Sequence, residues 1–202
     1  MTTPARLYTL CAADREIFPP PRRATEAGRG LAGALLLQAA LAGRLDLSGG
    51  RVRPTGRGSR GYPVLDAFVG RIEASARDRP PLDWVERLGP YALAALRAGA
   101  LPGAGRPSGA RAAPDPAGAR ERVRRAVDRP DPSGLSAVAA GALLAASGLH
   151  RGCWPHLSRG EAHGRTLRAV AALGSAGLPA VRAATAVHRS LSGSAGALAF
   201  PG

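Results

Sequence analysis

A chain of 202 residues is long enough to bury a substantial core, and its length suits one domain. Two cysteines, Cys11 and Cys153, are too few for a disulfide framework, and Asp14, Arg15 and Glu16 interrupt the N-terminus where a secretory signal needs an unbroken apolar run. The 28 basic against 14 acidic residues give a net charge of +14, which points toward phosphate-bearing partners, either nucleic acid or an anionic membrane surface. Every basic residue is Arg, and Ala, Gly and Pro are abundant. A GC-rich genome imposes that composition whatever the function, so the charge by itself does not select a partner.

In chain order, Leu7 to Ala12 reads as a short helix or extended apolar segment, an entry strap closed by the charged turn and by Pro19-Pro20-Pro21. A helix is predicted from Gly28 to Ala42, where Leu31, Leu35, Gln38 and Leu41 recur at helical spacing and Gly43 stands at the C-terminal glycine position. Leu45 and Leu47 alternate with polar residues, and Ser48-Gly49-Gly50 turns the chain into a small hairpin. A loop from Pro54 to Gly61 follows. Val64, Leu65, Phe68, Val69 and Ile72 then mark an amphipathic helix ending near Ala76, with Asp66 placed to pair with a backbone amide or an arginine at the turn into it. Pro80-Pro81 opens a short helix carrying Trp84 and Leu88, and Tyr91 to Ala98 gives another.

From Ala100 to Gly118 proline and glycine recur and no strand pattern appears, which predicts an irregular loop. Asp115-Pro116 starts a helix running to Val127, and the break at Pro130 to Pro132 leads into an Ala-rich helix from Leu135 to Ser147. The uncharged stretch Pro132 to Leu149 holds Ser133, Gly134, Ser136, Gly141, Ser147 and Gly148, a composition of a closely packed interior helix rather than a membrane span. Any membrane contact is therefore expected to be peripheral, from the cytoplasmic side. His150 to Ser158 reads as a loop, Leu167 to Leu173 and Val181 to Leu191 as helices, and residues 192–202 as a flexible tail. The predicted fold is mainly α, a helical core ringed by amphipathic helices with one small β-hairpin, in a single domain spanning residues 1–191.

The order Gly30-Leu31-Ala32-Gly33 through Gly43-Arg44-Leu45-Asp46-Leu47, followed by Pro63-Val64-Leu65-Asp66-Ala67, resembles the helix-to-strand unit of the Golgi phosphoprotein 3 family. The likeness is to a bacterial-type member, best over Gly30 to Ile72. It implies a peripheral membrane adaptor without catalysis that binds phosphoinositide head groups, phosphatidylinositol 4-phosphate among them, and needs no cofactor. In eukaryotic relatives such docking retains membrane enzymes; a client of that kind would be a partner here. The family's long aromatic hairpin, used in self-association, is replaced by the loop of residues 100–118, which removes the ground for expecting an oligomer.

Arg120, Arg122, Arg124 and Arg125 form the densest basic cluster, and Arg122 and Arg125, three residues apart, share one helix face where two guanidinium forks can grip one phosphate. The resemblance assigns this pair to the head-group phosphate. The family's pocket aromatic falls at Arg23 and its motif arginine at Ala32, so Arg29, one turn earlier, and Arg23 are the substitutes, with Phe18 as a membrane-inserting side chain. Loss of the aromatic points to an anionic-lipid site of broad specificity. The same arginines would serve a nucleic-acid binder, but aromatics are few and no stacking platform shows. A protein-interaction scaffold that has lost lipid binding is the third reading. His150, Cys153, His156, Glu161 and His163 have donors suited to zinc, yet their spacing fits no zinc motif, and they read as a loop capping the Ala-rich helix with Cys153 and Trp154 buried. The sequence holds no phosphate-binding loop, dinucleotide fingerprint or nucleophile elbow.

Overall fold

A computed structural model describes residues 3–12, 23–58, 61–100 and 115–196. Among these the architecture is eight α-helices and one two-stranded antiparallel hairpin: α1 (Pro4–Ala12), α2 (Ala24–Leu41), β1 (Leu45–Asp46), β2 (Arg53–Pro54), α3 (Pro63–Glu73), α4 (Pro81–Arg97), α5 (Pro116–Asp128), α6 (Leu135–Ala146), α7 (Arg159–Ala172) and α8 (Leu178–Gly196). The mainly helical fold expected from periodicity is the fold observed.

Two helices make the centre. In α6 every residue from Ala137 to Ala146 is buried, and α2 buries Leu31, Leu35, Leu36 and Leu37 completely. Apolar side chains all round a helix leave it no solvent face, so the amphipathic helices α4, α5, α7 and α8 close over these two with one stripe each. Small residues set the spacing. A Cβ on Gly33 would lie 2.6 Å from a Val187 methyl and 2.9 Å from Leu143, and one on Gly28 would lie 2.7 Å from the Gly89 carbonyl oxygen.

Helix directions follow from contacts that pair rising with falling residue numbers. Arg23 meets Gly148 while Gly33 meets Leu143, so α2 and α6 run antiparallel; Arg29 meets Ser190 and Gly33 meets Val187, so α8 does likewise against α2. Arg120 approaches Gly152 and Ala126 approaches Gly134, which makes α5 antiparallel to α6. The hairpin is tied to the start of α8 by Arg182 donating to the Leu47 carbonyl, and to the α3–α4 connection by Val52 N donating to the Arg79 carbonyl at 2.8 Å. The hairpin, the starts of α4, α6 and α8, and the end of α5 therefore share one end of the bundle.

Three local expectations change. The segment containing Leu7 is a core helix and not a strap: Tyr8 is fully buried, and its hydroxyl donates to Ser147 Oγ at 3.0 Å. The two helices expected around Pro90 are one, α4. Pro90 is exposed and the Glu86 carbonyl it leaves without a donor lies on a solvent-facing residue, so water can satisfy it while Val85, Leu88 and Ala92 hold the helix on the core. Helix α5 begins at Pro116, where Asp115-Pro116 led the sequence to place its start: the Asp115 carboxylate accepts from Gly118 N at 2.8 Å and caps it. Helix α8 runs on to Gly196 through the start of the expected tail. Asp66 does what its position suggests, accepting from Arg44 and, at 3.0 Å, from Gly61 N.

Candidate functional site: an arginine-rimmed groove

Helix α5 separates its two faces cleanly. Ala119, Val123, Ala126 and Val127 are buried against α6, where a Cβ on Gly141 would stand 3.1 Å from methyls of both valines. The opposite face carries Glu121, Arg122, Arg124 and Arg125. Glu121 holds Arg124 through two donors at 2.7 and 3.1 Å and touches Arg125 at 3.5 Å, while the Arg125 side chain stays 73% exposed. An exposed pair at that distance is worth little and releases its arginine to a better partner.

Arg122 and Arg125 line an open groove of about 520 Å³ at the junction of α5 and α6. Leu7, Ala126 and Ala137 form its apolar floor; Arg129 joins the two arginines on the rim, and Asp131, Ser133, Gly134 and Ser136 close the far side. Asp131 is already committed: its carboxylate accepts from the Ser133 hydroxyl and from Gly134 N at 3.0 Å, capping the turn that leads into α6, and the first of these contacts draws its pKa below the ordinary carboxylate value. Three guanidinium groups thus face one capped carboxylate, beside the positive end of the α6 dipole. The arrangement suits an anion with several acceptor oxygens.

The structure groups Arg122 with Arg125 and separates them from the other expected site residues. Arg23 is exposed and donates to the Gly148 carbonyl at 3.0 Å, at the C-terminal end of α6. Eleven residues of helical rise between Ala137 and Gly148 put that contact roughly 17 Å from the groove. Arg29 donates to the Ser190 carbonyl of α8 and lies against Gly89, so it serves helix packing. Ala32, at the family's arginine position, is buried in the core. Phe18 lies outside the described residues. Leu7, Arg129, Asp131, Ser133, Gly134 and Ser136 are among the groove residues that the sequence reading did not place; the signal available was the capping pattern Asp131-Pro132-Ser133 directly after the arginine-rich helix.

A second basic patch occupies the same end of the bundle. Arg51, Arg53 and Arg77 surround Asp78, which receives Arg53 on its carboxylate at 2.8 Å and Arg51 on its carbonyl at 2.7 Å. No group of three or more metal-ligating side chains occurs among the described residues. His150 Nε2 meets the Leu157 carbonyl at 2.9 Å, and Cys153 turns inward toward Cys11.

These features are those of a helical protein with an arginine-rimmed groove at one end. The family model of Golgi phosphoprotein 3 matches residues 4–188, and the chain belongs to that family. No curated protein and no solved structure matches it significantly. No helix among the described residues is long and apolar enough to cross a membrane.

Proposed function

We propose that the protein is a peripheral adaptor that docks on anionic phospholipid through the α5–α6 groove, Arg122 and Arg125 taking the head-group phosphate and Arg129 adding a third donor. The observation that carries this reading is the convergence of three arginines on a groove whose single carboxylate is occupied in a cap. Family membership supports it. The hairpin arginines at the same end favour an orientation in which that end meets the bilayer, because each basic side chain near an anionic surface adds about 1 kcal/mol of attraction. Phosphatidylinositol 4-phosphate is the most specific ligand this reading entertains. The groove's open shape, and the lack of an aromatic among the described residues that line it, fit anionic head groups in general.

The test is sedimentation with vesicles of neutral lipid, of phosphatidylserine or phosphatidylinositol, and of phosphatidylinositol 4-phosphate, comparing the native chain with Arg122→Ala/Arg125→Ala. Binding that requires an anionic head group and collapses in the double variant supports the assignment. Equal or absent binding across all vesicles overturns it and directs attention to protein partners. Equally tight, salt-sensitive retention of an oligonucleotide would favour nucleic acid instead.

A further inference from the structure

The two cysteines lie 142 positions apart in sequence and meet in the fold. Cys11 is the penultimate residue of α1, and Cys153 directly follows the 3-10 turn His150–Gly152 that leaves the end of α6. Both are free and each is about 1% exposed, in the same buried corner between α1 and the turn after α6. The backbones are close, since a Cβ on Gly152 would stand 2.9 Å from the Cys11 carbonyl oxygen. Arg120 donates to that same carbonyl at 3.4 Å, which places a guanidinium beside the pair.

We propose that Cys11 and Cys153 are an oxidisable dithiol that closes to an intramolecular disulfide when the protein meets a peroxide or a small-molecule disulfide. Cys153 is the nucleophile. The Cys11 thiol donates to its sulfur, and Arg120 and Arg124 add positive charge, so its pKa lies below the ordinary thiol value, whereas hydrogen bonding to Cys153 and burial hold Cys11 above it. With hydrogen peroxide, the Cys153 thiolate takes one oxygen to become a sulfenic acid, and the peroxide's other oxygen leaves as water after taking up a proton. The Cys11 sulfur then displaces the sulfenic oxygen: the S–S bond forms, the S–O bond breaks, and the Cys11 proton leaves with that oxygen as a second water. Two thiols and one peroxide become one disulfide and two waters. Access comes at the last turn of α1, where Ala12 is partly exposed and the helix can open locally.

The bond would pin α1 to the segment after α6. Leu7 lies one turn before Cys11 on the same helix face and forms part of the groove floor, so oxidation would hold that floor in place.

The experiment treats the reduced full-length chain with hydrogen peroxide, and separately with oxidised glutathione, then measures intact mass and alkylatable thiols after denaturation without reductant. The expected result is a loss of about 2 Da with both thiols blocked together and recovered by a reductant. The melting temperature should rise by about 5 °C or more. In Cys11→Ser and Cys153→Ser variants oxidant should give no such mass loss and no such rise. Two thiols that stay alkylatable, a stable gain of oxygen mass, or disulfide-linked dimers in place of the internal bond would each overturn the proposal. Because the decisive reading is made on the unaltered chain, it does not depend on the serine variants folding, and it stands apart from lipid binding.

Discussion

The Tyr8 hydroxyl donates to Ser147 Oγ at 3.0 Å, and Ser147 Oγ passes its own proton to the Leu143 carbonyl at 2.8 Å, so a buried chain of hydrogen bonds locks the N-terminal helix to the end of the central one. Gly30 makes room for it: a Cβ there would lie 2.0 Å from the Tyr8 hydroxyl oxygen and 2.5 Å from the ring carbon that bears it. Gly30→Ala should therefore destabilise the fold by about 2 kcal/mol or more, and Tyr8→Phe by about 1 kcal/mol. Combined, they should cost less than their sum, because removing the oxygen relieves part of the clash. Denaturant midpoints of the three variants measure this, and strict additivity would count against the packing described.

Asp66 sits at the entrance of α3 with its carboxylate divided between the Gly61 amide and Arg44, the latter 5% exposed. The amide first, and then the guanidinium, hold its pKa below 3.8. A group whose folded pKa is depressed stabilises the fold fully above the unfolded value and loses that contribution as pH falls through the folded one. Asp66→Asn should accordingly be less stable than the native chain at neutral pH, with the gap closing as acid takes the native protein below pH 3.8. Urea titrations at a series of pH values would show whether the two curves converge.

His163 on α7 and His188 on α8 stack with ring centroids 4.5 Å apart and planes within 13°. Burial chiefly, and then the neighbouring charges, with Arg159 acting on both rings, hold both pKa values below 6.5. Above that value both folded and unfolded rings are neutral and the pair contributes nothing to pH dependence. Below it the unfolded chain takes up protons first, so stability falls as pH drops through 6.5 toward the folded values. His188→Phe keeps the ring stack and removes one of the two titrating groups. Its melting temperature should decline between pH 7 and pH 5 with about half the native slope; an unchanged slope would remove the pair from the account.

The groove reading separates arginines that composition treats alike. Arg129→Ala should weaken adhesion to anionic vesicles about as much as Arg122→Ala while leaving the melting temperature within about 1 °C, because Arg129 is exposed at the end of α5. Arg29→Ala should behave in the opposite way. It removes a donor to the Ser190 carbonyl and a side chain packed on Gly89, which lowers stability by about 1 kcal/mol or more with little effect on vesicle binding. Parallel melting and sedimentation on the two variants provide the comparison, and a lipid defect in Arg29→Ala at native stability would contradict the placement of that side chain.

Periodicity and punctuation in the sequence determined the helices: the leucines of α2 recur at helical spacing, Gly43 takes a φ of +70° just beyond its end, and Asp115-Pro116 caps α5. These signals are local, acting over one or two helical turns, and a single chain displays them directly. The pairing of Arg122 with Arg125 was legible for the same reason, since three residues of separation defines a shared face wherever the helix lies. The tertiary structure alone decided that Arg23 and Arg29 serve α6 and α8 while the α5 arginines border the groove, because helix direction sets which ends meet and direction is not encoded in spacing. It also decided that Leu7 belongs to the groove floor and that Cys11 faces Cys153. Both contacts close very long loops, and they depend on α1 lying on the core that α2 and α6 build.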